Sequence, residues 1–164
     1  METTENRLNR VVGKLGQVSG PLQSQALSFV LGRTVKFVGT AGLVVEELTP
    51  ERAVVVVKNR KKVQNHIGSV HACAMALVAE TATGFVVGMN LPDAAVPVIK
   101  TIKIDYVKRA KGDMRAVATL SEDQRRRIMS EPKGDVLVAC EVTDENGIEP
   151  ILCEMTWAWT PKRR

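Results

Sequence analysis

One segment of the sequence combines polar side chains with an acid inside an apolar run. Asn65, Gly68 and His71 follow one another at intervals of three residues, and Glu80 comes nine residues after His71. Residues 70–91 around Glu80 are otherwise mostly Ala, Val, Leu, Met, Gly, Thr and Phe. Burying an unpaired carboxylate costs several kcal/mol unless its pKa rises or a partner is found. The acid at position 80 therefore indicates a chemical role.

The hydrophobic pattern places these residues at the start of a helix. Residues 70–89 are predicted to form a long helix that is apolar on almost every side and ends before Pro92. A helix N-terminus presents free backbone N–H groups and the positive end of the helix dipole, which together stabilise negative charge. A carboxylate buried two turns further along has its pKa raised toward neutrality, which suits a base.

The remaining elements predict an α+β fold with one sheet. Short helices are predicted at residues 6–15 and 22–31, the second following a break at Gly20-Pro21 and ending at Gly32. A charged helix is predicted at residues 121–130. The predicted strands are residues 42–48, 52–58, 98–108, 114–120, 135–143 and 150–160. Because the last four strands meander, we expect a single antiparallel sheet that curves around the apolar helix, with a dimer partner covering the rest.

The composition narrows the class of protein. The 164 residues, 45% hydrophobic and 25% charged, fit one soluble domain. Three cysteines without a CxxC spacing favour a reducing compartment over a structural zinc site, and no metal or cofactor is predicted. The N-terminus is too polar for a signal peptide, and His71 and Glu80 interrupt the apolar run. We therefore expect a cytoplasmic protein without a membrane span.

The net charge of +5 comes largely from basic clusters at residues 60–62, 125–127 and 162–164. Only 4% of the residues are aromatic, and none alternates with these clusters to form a stacking surface, so nucleic-acid binding is not expected. Most of this charge is interpreted as solvated surface. Alternatively, Arg60, Lys61 and Lys62 attract the phosphates of an anionic ligand.

The order of elements and the polar motif resemble the hot-dog fold and its thioesterase superfamily. Members of the phenylacetyl-CoA thioesterase-like branch carry Asn, Gly, His-Gly-Gly and then an acid nine residues after the His. Asn65, Gly68, His71 and Glu80 match these positions, and the resemblance covers residues 35–160. Here His71-Ala72-Cys73 replaces His-Gly-Gly, which is most similar to an uncharacterised branch with His-Ala. The resemblance implies a single hot-dog domain, residues 1–164, with a helical segment at residues 1–33.

The resemblance also implies an acyl-CoA or acyl-carrier thioesterase. The Ala72 N–H would donate to the thioester oxygen, Glu80 would act as general base or nucleophile, and Asn65 would hold the water or the acyl carbonyl. The implied substrate-binding residues are Gly68, His71, His66, Arg60, Lys61 and Lys62. Glu80 lies roughly 12 Å along the helix from Ala72. The acid would therefore come from the antiparallel helix of a dimer partner, in a homodimer or a homotetramer.

Other interpretations stay open. Hydroxyacyl-thioester dehydratases of the same fold pair a loop His with a helix Glu fourteen residues later, the spacing of His66 and Glu80, although their Gly-His-Phe-Pro segment is absent here. A non-catalytic acyl- or lipid-binding module would fit the replacement of Gly-Gly by Ala72-Cys73. Glu80 could instead be a structural acid paired across the dimer with a Lys, an Arg or the Thr81 and Thr83 hydroxyls. Trp157 and Trp159 alternate on one strand and are expected to pack at an interface or rim.

Overall fold

The computed structural model describes residues 6–15 and 21–162. The helices are α1 (Arg7–Leu15), α2 (Pro21–Thr34), α3 (Lys36–Ala41), α4 (Ala72–Asn90) and α5 (Glu122–Ser130). The strands are β1 (Val44–Leu48), β2 (Arg52–Val57), β3 (Ala95–Tyr106), β4 (Met114–Thr119), β5 (Gly134–Asp144) and β6 (Ile151–Pro161), and a 3-10 turn (Lys61–Val63) precedes α4. The predicted break at Gly20, part of the predicted segment at residues 1–33 and the basic residues Arg163 and Arg164 lie outside the described residues.

The six strands form one antiparallel sheet in the order β1-β2-β4-β5-β6-β3. Helix α4 packs against β2, β4, β5, β6 and β3 on one face of this sheet. In β4, Met114, Ala116 and Ala118 are buried and alternate with more exposed residues, as expected for a strand with one face on the core. The predicted α+β architecture with a long central helix is confirmed.

Hydrogen bonds fix both ends of α4. The His71 side chain caps the N-terminus, and α4 stops before Pro92, which cannot continue a helix. Near the other end, the buried Asn90 side chain donates to the carbonyls of Pro50 and Val86. Among the described residues, α4 is also the one helix long and apolar enough to cross a membrane, but eleven of its residues are buried within the fold. Its apolar composition is explained by its place in the core.

The N-terminal part of the chain differs from the sequence prediction. Helix α2 continues to Thr34 rather than ending at Gly32, and α3 follows at once. The reason is that Gly32 serves a contact between the two helices: a Cβ on Gly39 would lie 2.5 Å from the Gly32 carbonyl oxygen. The two glycines thus permit close packing of α2 and α3. Strand β3 also begins at Ala95, three residues before the predicted start, with a bulge between Ile99 and Thr101.

The two tryptophans of β6 are core residues, so the prediction that they lie at an interface or rim is wrong for this chain. Trp157 and Trp159 are 7% and 2% exposed. The Trp157 indole N–H donates to Thr83 Oγ1 at 2.9 Å, and the Trp159 indole N–H donates to the Glu131 carbonyl at 2.8 Å. The core tolerates both rings because each indole N–H has a hydrogen-bond acceptor inside the fold.

Gly84 allows the Trp157 ring to lie directly against α4. A Cβ at position 84 would come within 2.6 Å of that ring, whereas a Cβ at Gly88 would meet Leu8 at an ordinary 3.4 Å. We expect Gly84→Ala to lower the free energy of unfolding by about 1 kcal/mol or more, since overpacking costs about 1–3 kcal/mol and outweighs the better helix propensity of Ala. The matched control Gly88→Ala should gain up to ~1 kcal/mol. Urea denaturation measures both, and equal stabilities would contradict this account.

Candidate active site

The loop before α4 is held by its own hydrogen bonds. Asn65 Oδ1 accepts from the backbone N–H groups of Ile67 at 3.0 Å and Ser69 at 3.1 Å. Gly68 has a backbone φ of +77°, a conformation that residues other than glycine rarely adopt. Asn65 and Gly68 therefore build a tight turn that returns the chain to the start of α4, and the Asn65 side-chain oxygen is engaged in that turn.

The start of α4 leaves one backbone donor without an acceptor. His71 Nδ1 accepts from the Cys73 N–H at 3.1 Å, and the His71 carbonyl accepts from the N–H groups of Ala74 and Met75. Among the described residues, the Ala72 N–H donates no hydrogen bond. This is the orphan donor expected at the first position of a helix. It is the group that the resemblance assigns to the oxyanion.

Tyr106, at the end of β3, fixes this helix start from the side. Its hydroxyl donates to the Ala72 carbonyl oxygen at 3.0 Å. Partial burial raises the pKa of the Tyr106 phenol, and the nearby Cys73 thiol acts in the same direction. The phenol therefore stays protonated and remains a donor. Tyr106 is the one tyrosine of the chain, and its role at the site was not predicted from the sequence because the two residues are 34 positions apart.

A cavity of about 320 Å³ opens beside the helix start. Its lining residues are Phe37, Thr40, Ala41, Lys62, Val63, His71, Cys73, Ala74 and Leu77. Lys62 Nζ donates to the Thr40 carbonyl at 2.9 Å, which fixes a cation at this cavity. Arg60, Lys61 and His66 are exposed around the same loop. Of the predicted substrate-binding residues, Lys62 and His71 line this cavity, whereas Arg60, Lys61, His66 and Gly68 do not.

Glu80 lies in the middle of α4 and is half-buried. Burial raises the pKa of its carboxyl group above the ordinary glutamate value, and the adjacent Thr81 hydroxyl opposes the shift. Within the described part of the chain, Glu80 forms no ion pair. Thr83 donates to the Ala79 carbonyl and does not reach the carboxylate. Within one chain the described residues therefore give Glu80 no ion-pair partner, and a structural pairing across a dimer stays a prediction.

Thr81 affects the pKa of Glu80 without forming a hydrogen bond of standard geometry. Thr81 Oγ1 is buried and has no hydrogen-bond partner of standard geometry among the described residues. The Thr81 hydroxyl lies close to the Glu80 carboxyl group and lowers its pKa, in opposition to the larger effect of burial.

Glu80 lines a second cavity, of about 280 Å³, whose other walls are mostly apolar. The lining residues are Leu8, Val35, Val38, Glu80, Thr81, Gly84, Phe85, Gly88, Pro97 and Trp157. This cavity shares no lining residue with the one at the helix start. A raised pKa together with an apolar cavity is the environment in which a carboxylate acts as a base.

The structure does not bring Glu80 and Ala72 together within one chain. Eight residues of α-helix separate them, which is about 12 Å along the axis. Between them Ala76 and Leu77 are only partly buried, and Cys73 is exposed. This face of α4 therefore remains partly open between the two cavities. Within the described part of the chain, no group of three or more His, Cys, Asp or Glu side chains is placed to hold a metal ion.

Comparisons with known proteins agree with this architecture. A family model described as "Domain of unknown function (DUF4442)" matches residues 23–159. A Pseudomonas aeruginosa protein, described as of unknown function and a probable thioesterase, has a TM-score of 0.75 at 24% identity, over 84% of this chain and 95% of its own. A structural-genomics protein, APC5556, has a TM-score of 0.74 at 26% identity, over 94% of this chain and 99% of its own.

A thioesterase from Haemophilus influenzae has a TM-score of 0.67 at 13% identity, over 84% of this chain and 90% of its own. A search of the curated proteins finds no match to the sequence. The structural likenesses confirm the predicted hot-dog fold.

Proposed function

Because this chain belongs to the DUF4442 family and has the hot-dog fold, we propose that it is a thioesterase that hydrolyses an acyl-CoA or acyl-carrier thioester. The observation that carries the proposal is Glu80, a half-buried acid with a raised pKa at an apolar cavity of the central helix. The helix also presents the unpaired Ala72 N–H at its start. Two structural neighbours are described as a thioesterase or a probable thioesterase, which supports the same reaction.

We propose that two chains share each active site. Ala72 and Glu80 are too far apart on one helix to act on the same thioester, but antiparallel pairing of two α4 helices would bring Glu80 of one chain close to Ala72 of the partner subunit. The partly open face of α4 around Ala76 supports such pairing. A homodimer is the smallest assembly that completes the site, and a tetramer of two such dimers would keep it intact.

The proposed reaction assigns one task to each group. Glu80 accepts a proton from water as the water oxygen attacks the thioester carbon, and the Ala72 N–H donates to the developing oxyanion. The C–S bond then breaks, and the thiolate takes up the proton held by Glu80. Direct attack by the Glu80 carboxylate is the alternative route, through an acyl-enzyme anhydride that water hydrolyses. In both routes Glu80 must be ionised at the start.

The loop residues support this chemistry by position. Asn65 and Gly68 set the turn that presents the helix start, and His71 caps it, so that the Cys73 N–H is occupied and the Ala72 N–H is left for the substrate. The remaining Asn65 amide N–H groups are assigned to the water or the acyl carbonyl. His66 is assigned to the rim of the substrate site.

Lys62, which lines the cavity beside His71, is assigned together with Arg60 and Lys61 to attract the phosphates of CoA or of a carrier's phosphopantetheine. Three free cysteines fit a reducing compartment such as the cytoplasm.

Thiol release from a panel of acyl-CoA substrates tests the proposal. The purified full-length chain is expected to release free CoA from at least one acyl-CoA, with one equivalent of carboxylic acid formed. Conversion of a 3-hydroxyacyl- or enoyl-CoA without thiol release would show a dehydratase instead. Binding of acyl-CoA without turnover of any substrate would show a non-catalytic acyl-binding module.

A further inference from the structure

Helix α1 forms one wall of the cavity that contains Glu80, although it is distant in sequence from the rest of that cavity. Leu8 lines the cavity opposite residues of α4 and β6. It also lies beside Gly88, where a Cβ would approach Leu8 Cδ2 to 3.4 Å. The family model begins at residue 23, so α1 lies before the region common to the family. This wall is therefore supplied by a part of the chain outside the shared domain.

A buried asparagine fastens α1 to the end of α4. Asn6 is 2% exposed, and its Nδ2 lies 2.9, 3.2 and 2.6 Å from the carbonyl oxygens of Gly88, Met89 and Leu91. Its Oδ1 accepts from the Asn9 N–H at 2.8 Å and so caps α1. Arg10 adds an ion pair with Asp93. The helix that carries Leu8 is thus held by specific polar contacts and not by apolar packing alone.

We propose that this cavity, hereafter the acyl cavity, binds the acyl group of the substrate, and that Leu8 sets the length of the acyl group it accepts. The inference rests on the proposed thioesterase function, because the thioester would have to lie at Glu80 with its acyl group directed inward. Glu80 is the one ionisable residue among the lining residues, and the walls are formed by side chains such as Val35, Phe85 and Trp157. Such walls suit a hydrocarbon and exclude a charged group.

The volume of the acyl cavity limits the substrate class. Its volume of about 280 Å³ is at the lower end of the range for small-molecule pockets. This size suits a medium-length aliphatic or a single-ring aromatic acyl group. A longer acyl group would have to pass Leu8 or leave the cavity through its open side. Leu8 is well placed to act as this limit because, unlike Val35 and Val38, it belongs to α1, which polar contacts from Asn6 and Asp93 and apolar packing of its own side chains hold against α4.

The test compares two leucines of the same helix. Leu8→Ala enlarges the acyl cavity and Leu8→Trp fills it, whereas Leu15→Ala removes the same side chain from α1 at a position that packs on the core without lining the cavity. Values of kcat/KM are measured for hexanoyl-, phenylacetyl- and dodecanoyl-CoA. Leu8→Ala should raise the ratio of dodecanoyl to hexanoyl activity about tenfold, Leu8→Trp should lower it, and Leu15→Ala should leave it unchanged.

Binding of non-hydrolysable thioether analogues of the same three acyl-CoAs, measured by calorimetry, separates the two proposals. If Leu8 variants shift the preferred acyl length in binding while the parent protein releases no thiol, the acyl cavity stands and the thioesterase proposal fails. If the parent protein hydrolyses thioesters but the Leu8 and Leu15 variants have the same chain-length profile, the acyl cavity proposal is overturned. Far-UV circular dichroism establishes that each variant is folded.

Discussion

Glu80→Gln is expected to lower kcat/KM for thioester hydrolysis by about 10³-fold, because a general base contributes roughly 10²–10⁴ in rate and an amide cannot accept the proton or form the anhydride. Gln matches Glu in size, so the acyl cavity and the packing of α4 stay intact. The measurement is thiol release from the best acyl-CoA of the panel. The matched control is Glu141→Gln, at an exposed position of β5, which should keep full activity. Unchanged activity in Glu80→Gln would remove this residue from the mechanism.

The pH dependence of the same variant tests the ionisation state of Glu80. Burial raises its pKa, so the basic form appears at a higher pH than in an ordinary glutamate, and activity should rise with pH through the raised pKa. In Glu80→Gln the residual activity should lose this acidic limb. A limb that survives the substitution would assign the titration to another group.

Stability gives an independent measure of the same pKa. A carboxyl group whose pKa is raised by folding holds its proton more tightly in the native state, so stability falls as pH rises from the unfolded value to the raised native value. Above that window the ionised Glu80 is a net cost. Glu80→Gln should therefore be more stable than the parent protein at neutral pH and similar to it at low pH, as measured by urea denaturation. A variant that is less stable at neutral pH would indicate that the ionised Glu80 has a stabilising partner.

The sequence predicted the central helix and the sheet because their patterns are local. Residues 72–90 form one helix because no proline interrupts the apolar run until Pro92, and the run continues through Gly84 and Gly88. The valine-rich strands are each bounded by turn signals in the sequence. The N-terminal helices were less predictable. Gly32 has the appearance of a helix end in sequence, but its role is to let α3 approach α2, and that contact depends on Gly39 seven residues later.

Some residues of the candidate site could likewise be predicted from the sequence, and others could not. Ala72 and Glu80 could be placed from the sequence because helix geometry fixes their separation once the helix is predicted. Tyr106 and Leu8 could not, since each reaches the site from an element far away in the chain and nothing in its local pattern indicates a partner. The alternation of the two tryptophans fits a rim as well as a core, and contacts distant in sequence decide for the core. These contacts are Thr83 and Gly84 on α4 for Trp157, and the Glu131 carbonyl for Trp159.

Ala72→Pro is expected to reduce kcat by about 10²–10³-fold, the effect of removing one oxyanion donor, without unfolding the protein. Proline replaces the N–H hydrogen by a ring methylene, and at the first position of a helix it is well tolerated because that N–H has no helical acceptor. His71, with φ −65° and ψ 145°, already has the extended conformation that a residue before proline requires. Thermal denaturation should therefore show a similar melting temperature while thiol release falls.

Ala72→Gly is the matched control, since it restores the residue found at this position in the phenylacetyl-CoA thioesterase-like branch and keeps the donor. Its activity should equal or exceed that of the parent protein, because the Cβ that borders the approach of the substrate is removed. The pair of variants separates the donor from the space around it. If Ala72→Pro and Ala72→Gly have the same kcat, the backbone donor has no part in the reaction, and the oxyanion must be stabilised from elsewhere. If only Ala72→Pro is impaired, the backbone N–H is the catalytic group, and the replacement of glycine by alanine is compatible with hydrolysis.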